Sequence, residues 1–254
     1  MPDDIEYVGL MAEAWDALRG DTSGWEDRDW FREVIARRGE PVLDVGTGTG
    51  RILLDFLAQG IDIEGVDNAP DMLERLHAKA AAAGLDVDGR VHLGRMQTLR
   101  LTRRFGTIMV PSSSFQLLIE PDDAAEAMRR FFALLLPGGS LAMPFIVMDR
   151  PYDEAWTKDA TLEDGKRVKR TARATFDPAI GIEATDDTYE VFNNGTLLRT
   201  EHFVRPRATR AYSRDQARQA FETAGFVDLE WGADFTFEDR EPTEVFTIIG
   251  RRPE

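Results

Sequence analysis

The chain has 254 residues, 43% of them hydrophobic, and a formal net charge of -15; this is enough for one large domain, or a domain with an insertion, around a real core, and the acidic balance excludes general nucleic-acid binding, which works by neutralising phosphates. The absence of cysteine excludes disulfides, thiolate nucleophiles and cysteine metal sites, and His77, His92 and His202 share no metal-ligand spacing. No apolar run is long enough to cross a membrane and Met-Pro-Asp-Asp-Ile-Glu does not read as a signal peptide, so a soluble cytoplasmic protein that contacts neither membrane nor nucleic acid is expected.

In chain order, Tyr7 to Leu18 reads as a helix, with apolar positions at Leu10, Met11, Ala14, Trp15 and Leu18. Gly20 to Gly24 breaks it, and Asp27 is placed to cap a second helix through Phe31, Val34 and Ile35. A buried apolar strand, Val42 to Val45, then runs into Gly46-Thr47-Gly48-Thr49-Gly50-Arg51, followed by an amphipathic helix from Ile52 to Gln59. Such a turn lets a ligand approach the backbone and sets it at a helix N-terminus, where free N–H groups point outward. A second strand, Ile61 to Val66, ends in Asp67, a carboxylate roughly 20 residues past the first glycine, where a ribose-binding acid belongs. The expectation is an adenosine-containing cofactor. A dinucleotide fingerprint needs a third glycine where Arg51 stands, and there is no G-x-x-x-x-G-K-[ST] phosphate loop.

A helix from Pro70 to Ala83 follows, capped by Asp67 or Asn68 and ending at Gly84. Strands are predicted at Gly89–Leu93 and Thr107–Val110, a helix at Asp122–Leu136 stopped by Pro137-Gly138-Gly139, and a strand at Ser140–Val147. This alternation is the pattern of a parallel sheet covered on both faces. The period then changes to three alternating strands, Val168–Phe176, Gly181–Phe192 and Thr196–Thr209, with Asn193-Asn194-Gly195 as a hairpin turn between the last two. Residues 151–211 are therefore an antiparallel insertion. The basic cluster Lys166, Arg167, Lys169, Arg170 and Arg173, followed by Arg199, Arg205, Arg207, Arg210 and Arg214, reads either as solvated strand faces with acidic partners or as a cationic lid over an anionic substrate. Ser213 caps a helix to Ala224, Gly225 ends it, and Phe226–Trp231 and Val245–Arg251 are the last strands.

Val42–Gly50, together with Val66-Asp67-Asn68-Ala69-Pro70-Asp71-Met72-Leu73, resembles the class I S-adenosylmethionine-dependent methyltransferases. The serine loop Pro111-Ser112-Ser113-Ser114-Phe115 and the entry segment Trp15, Gly20-Asp21-Thr22 and Trp25 are similar to the small-molecule branch, the glycine/sarcosine N-methyltransferase group. The resemblance implies an α/β fold: a Rossmann-like, doubly wound, mostly parallel sheet with a reversed C-terminal hairpin and the antiparallel β insertion. It implies one methyltransferase domain over 1–254, with 1–36 as a helical cap and 151–211 as a lid over the acceptor. The implied cofactor is S-adenosylmethionine, and the implied reaction is in-line transfer of its methyl group to a nitrogen or oxygen of a small-molecule acceptor, an anionic one if the basic strands are a lid. A homodimer is compatible with the sequence. A non-catalytic S-adenosylmethionine-binding protein and a nicotinamide-dependent oxidoreductase are the alternatives.

By the same resemblance Gly46, Thr47 and Gly48 line the methionyl and ribose portion, and Asp44 orients the loop or meets the cofactor's ammonium. Asp67 accepts from the ribose hydroxyls; Asn68 and Met72 lie beside ribose and adenine, although Met72 reads equally well as helix packing. Gly94-Arg95-Met96 stands where the family often has Gly-Asp-Met. Arginine cannot accept a hydrogen bond, so adenine falls to groups around Met96 and Gln97, with Arg95 stacking on the ring. Pro111, Ser112 and Ser113 face the sulfonium and acceptor, while Ser113 or Ser114 serves as a helix cap. Trp15 and Trp25 close over the cofactor, with cation–π contact to a sulfonium; core packing is the other reading of Trp15. Arg51 is expected to pair with an N-terminal acid such as Asp29. No general base stands out. Ser113, His202 and Tyr152 are the catalytic candidates; Asp149, Tyr189 and Tyr212 are further ones, and a neutral amine acceptor needs no strong base.

Overall fold

The computed structural model describes residues 7–254; the first six, on which the signal-peptide reading and the start of the helical cap rest, lie outside the described residues. The chain forms two compact units, one made of the residues up to Gly24 with Met148–Ala211, the other of Trp25–Val147 with Tyr212–Glu254.

The smaller unit begins with α1 (Gly9–Glu13) and α2 (Trp15–Arg19), where a single helix was predicted. The apolar spacing runs on through the break at Ala14, so the pattern reads as continuous: Leu10, Met11, Ala14 and Leu18 are all buried. The larger unit begins with α3 (Glu26–Arg38), whose N-cap is Trp25. Asp27 is not the cap; it lies inside the first turn. Then follow β1 (Val42–Val45), α4 (Leu53–Ala58), β2 (Ile63–Asp67), α5 (Pro70–Ala83), β3 (Val91–Leu93), β4 (Phe105–Met109), α6 (Pro121–Leu134) and β5 (Leu135–Ile146). Helix α5 opens on Pro70 and closes on left-handed Gly84, but its N-cap is Ala69 with no side-chain bond, not Asp67 or Asn68. Strand β5 starts before Pro137-Gly138-Gly139 rather than after it, the surplus residues being absorbed where its register on β4 shifts between Phe105↔Leu135 and Thr107↔Ser140.

The insertion holds four strands, β6 (Tyr152–Thr161), β7 (Arg167–Asp177), β8 (Ile182–Asn193) and β9 (Thr196–Arg210), antiparallel in the order β6-β7-β8-β9. The first was not predicted. It is an edge strand exposed along nearly its whole length, so neither face supplies the apolar alternation that marks a strand. Asn194 and Gly195 both have positive φ, as a two-residue hairpin turn requires. Leu162, Val168, Tyr189 and Val191 pack with Leu10, Met11, Ala14 and Leu18 into this unit's own core. Lys169 pairs with Glu190, Arg170 and Arg205 with the fully buried Asp187, Arg173 with Asp153 and Arg199 with Glu13, which is the pattern of the first reading, cations with acidic partners on strand faces.

The larger unit ends with α7 (Arg214–Ala224), β10 (Val227–Ala233) and β11 (Val245–Arg251). Ser213 and Gln216 form a reciprocal capping box, and left-handed Gly225 closes α7. The sheet order is β10-β11-β5-β4-β1-β2-β3, parallel from β5 to β3 and antiparallel at the C-terminal hairpin. Leu43, Val45, Ile108 and Phe145 face one side and meet α6 and α7 through Phe131 and Phe221. Val42, Ile63 and Met109 face the other and meet α3, α4 and α5 through Phe31, Phe56 and Leu76. Helices on both faces make the doubly wound architecture. No helix among the described residues is long and apolar enough to cross a membrane.

Candidate functional site

The carboxyl ends of β1, β2 and β4 meet at the glycine turn. Gly46, Gly48 and Gly50 have φ of +77°, +56° and +83°, a region that side chains disfavour. A Cβ on Gly46 would stand 2.7 Å from the Ser114 hydroxyl, and one on Gly50 2.9 Å from Leu54 and Leu76. The first glycine therefore lets the loop after β4 lie against the turn, and the last lets α4 and α5 close behind it. The N–H groups of Gly46 and Thr47 donate to the Val66 carbonyl at 2.8 and 3.1 Å, which ties the turn to β2. Asp67, 9% exposed, accepts from the Gly48 N–H at 2.8 Å through Oδ2 and from the Ala69 N–H at 2.9 Å through Oδ1. Burial pushes its carboxyl above the usual range, and the amides of Ala69, Gly48 and Asn68 pull it back. Met72 Cε and Met96 Cε lie 3.3 and 3.8 Å from where a Cβ would stand on Gly48 and Gly46. Gly46, Gly48, Asp67, Met72 and Met96 thus lie together around the turn.

Asp44 lies at the base of the turn, 2% exposed. Its Oδ2 accepts from the Thr47 hydroxyl at 2.8 Å, and its Oδ1 is buried with no donor. Arg51 pairs with Asp27 through both guanidinium nitrogens, one at 3.0 Å. The predicted partner, Asp29, pairs instead with Arg32, three residues along the exposed face of α3, while Asp27 is on the buried face. The Arg51 guanidinium also lies 4.9 Å from the Trp25 ring centre, so Trp25, 39% exposed, borders the turn. Asn68 directly follows Asp67. Arg95 precedes a single 3-10 turn, Met96–Thr98, that carries Gln97.

In the loop after β4, Pro111 is buried and Ser112 takes a left-handed φ of 58°, a conformation that costs a non-glycine residue energy. Ser113 occupies a cap position but makes no side-chain cap bond, which corrects the cap reading; Ser114 does not cap either, since its hydroxyl donates to the Pro111 carbonyl at 2.8 Å. Ser114, not Ser113, is the hydroxyl that touches the glycine turn, and only the strand order could have revealed it. Gln116 was also missed. It is fully buried, accepts from the Ile146 N–H at 2.7 Å and donates to the Ile146 carbonyl at 3.3 Å, fixing the loop to the end of β5. A buried amide within Phe115-Gln116-Leu117-Leu118 was the available signal. Tyr212 belongs to the aromatic packing below, with ring centres 5.6 Å from Phe115 and 5.3 Å from Phe145.

The other candidates belong to the smaller unit. The Tyr152 hydroxyl donates to Glu183 at 2.7 Å; burial and this carboxylate raise the phenol above its usual range. His202 is exposed on β9, its Nε2 2.6 Å from Asp186. Trp15 packs edge-on against Tyr7 with centres 4.7 Å apart, and Arg19 lies 4.2 Å from its ring centre. Tyr189 is buried in the core and Asp149 is exposed.

The residues of the larger unit fit an adenosyl cofactor: a cradle that a Cβ would fill, a carboxylate at the end of β2, and one buried carboxyl oxygen with no donor. Residues 42–139 match the methyltransferase domain family. The chain is 27% identical over 247 residues to a glycine/sarcosine/dimethylglycine N-methyltransferase of Actinopolyspora halophila, covering 93% of this chain but 41% of that relative; the chain spans less than half of that protein's length. It is 26% identical over 230 residues to dTDP-3-amino-3,6-dideoxy-alpha-D-glucopyranose N,N-dimethyltransferase of Streptomyces fradiae, covering 87% of this chain and 85% of the relative. The sugar N-methyltransferase KedS8 from Streptoalloteichus shares the fold, with a TM-score of 0.74 at 21% identity over 93% of this chain and 91% of that one.

Proposed function

We infer that this chain, which belongs to the class I S-adenosylmethionine-dependent methyltransferases, methylates a nitrogen of a small-molecule amine. The observation that carries the reading is the open glycine turn with Asp67 bonded to the Gly48 amide. When bound, S-adenosylmethionine supplies a methyl group on a sulfonium, open to in-line displacement. Gly46, Thr47 and Gly48 offer backbone approach to it. Asp67 keeps lone pairs for ribose hydroxyls. Asn68 and Met72 flank the ribose and the ring; Met96, Gln97 and Arg95 recognise adenine without a carboxylate. Pro111, Ser112 and Ser113 border the transferring methyl, with Ser114 and Gln116 fixing their loop. Catalysis then rests on positioning and exclusion of water, and an amine arriving neutral needs no base.

The amine class follows from the relatives, which act on amino acids and amino sugars. Arg170, Arg173, Arg199 and Arg205 already engage carboxylates, so the acceptor's charge is read from the screen rather than from the strands. The test is incubation with S-adenosylmethionine and a panel of amino acids, amino sugars and their hydroxyl analogues, following S-adenosylhomocysteine. Turnover with an amine and none with its hydroxyl analogue is the expected result. Tight cofactor binding with no turnover across the panel would leave a binding protein.

A further inference from the structure

Asp44 lies at the base of the glycine turn that fits the cofactor. Both of its oxygens are shut from solvent: Oδ2 accepts from the Thr47 hydroxyl at 2.8 Å and Oδ1 meets no donor. Three charged groups act on it. Arg51, at the end of the turn, attracts but is committed to Asp27; Asp67, at the end of β2, and Asp27, on α3, repel. A buried carboxylate oxygen without a donor is costly as an anion and far less so as an acid. Burial accordingly pushes the Asp44 carboxyl up to about 7, the Thr47 bond and Arg51 opposing it only in part.

We propose that Asp44 is a specificity-determining group, which sheds its proton when the glycine turn holds a positively charged cofactor and keeps it when the turn holds a less charged one. The turn then favours the methyl donor over its spent thioether. This rests on the S-adenosylmethionine reading. Asp44 lies two residues before Gly46, and Thr47, which holds it, stands between the first two glycines, so its charge state belongs to the same turn. The balance is simple: the carboxylic acid becomes a carboxylate, one proton goes to solvent, and no covalent bond to the ligand forms. The donor carries a sulfonium charge that the thioether lacks; the amino-acid portion is common to both.

The test is calorimetric titration of the whole protein with S-adenosylmethionine and, separately, S-adenosylhomocysteine, in two buffers of different ionisation enthalpy near pH 7. The expected result is net proton release with the donor and clearly less with the thioether. The donor-to-thioether affinity ratio should then rise by up to about tenfold from pH 6 to pH 8. Asp44→Asn should flatten that ratio. Equal proton release by the two ligands in the wild-type protein overturns the proposal whether or not the variant folds. Failure of either ligand to bind overturns the cofactor reading, and the proposal with it.

Discussion

Asp67 accepts from the Gly48 N–H through one oxygen and from the Ala69 N–H through the other, and the Asn68 amide acts on it as well. Asp67→Ala therefore removes a clamp on the turn as well as an acceptor for the ribose. Charge-assisted hydrogen bonds contribute roughly 1.5–3 kcal/mol, so cofactor affinity measured by calorimetry should fall by more than about tenfold; unchanged affinity would remove Asp67 from the ribose site. Gly46 bears a different kind of constraint. Gly46→Ala meets both the φ of +77° and the Ser114 hydroxyl 2.7 Å away, and strain of this kind costs about 1–3 kcal/mol. Adding Ser114→Gly should relieve the collision but not the backbone term. Denaturant midpoints should therefore order as wild type, double variant, Gly46→Ala, and a double variant no more stable than the single one would show that the collision carries no weight.

Between elements, the glycine turn is anchored to α3 by Arg51 and Asp27, whose side chains are 11% and 5% exposed. Breaking one partner of such a pair costs about 3–5 kcal/mol because a buried charge is left alone, whereas replacing both with apolar groups costs much less. Arg51→Met should thus lower unfolding free energy far more than the double variant Arg51→Met with Asp27→Leu; equal losses would mean that the pair is screened by solvent. The sequence announced the turn because its signal is local, three alternating glycines after an apolar strand. It announced α5 and α7 because Pro70, Gly84, Ser213 and Gln216 are local punctuation. It did not announce Asp27 as the partner of Arg51, since the choice between Asp27 and Asp29 depends on which face of α3 is buried. Ser114 and Gln116 stayed hidden because their contacts arise from strand order, with β4 beside both β1 and β5. Strand β6 stayed hidden because an exposed edge strand has no apolar face to display.

Across the whole molecule, two sets of carboxyls pull stability in opposite directions with pH. Asp62, bonded by Arg103 and Arg90, and Asp234, bonded by the amides of Glu244, Thr243 and Val245 and by Arg240, are held below the ordinary value of 3.8. Their contribution is present above that value and is lost as pH falls through their folded-state values. Asp44 and Asp67 are raised by burial, Asp44 to about 7. Theirs is fully present below 3.8 and is lost as pH rises through the folded-state values. The net charge of -15 at pH 7 adds self-repulsion on the same side. The cofactor-free protein should therefore be most stable on the acid side of neutrality, with unfolding free energy declining from about pH 5 to pH 8. The part of that decline due to Asp44 is isolated by difference. Asp44→Asn should show a shallower alkaline slope, and 0.5 M salt, which shortens the screening length to well below 10 Å, should remove the repulsive part without touching the buried one. Equilibrium denaturation across this range decides it: a wild-type curve parallel to that of Asp44→Asn would mean that Asp44 is ionised in the folded protein at every pH tested.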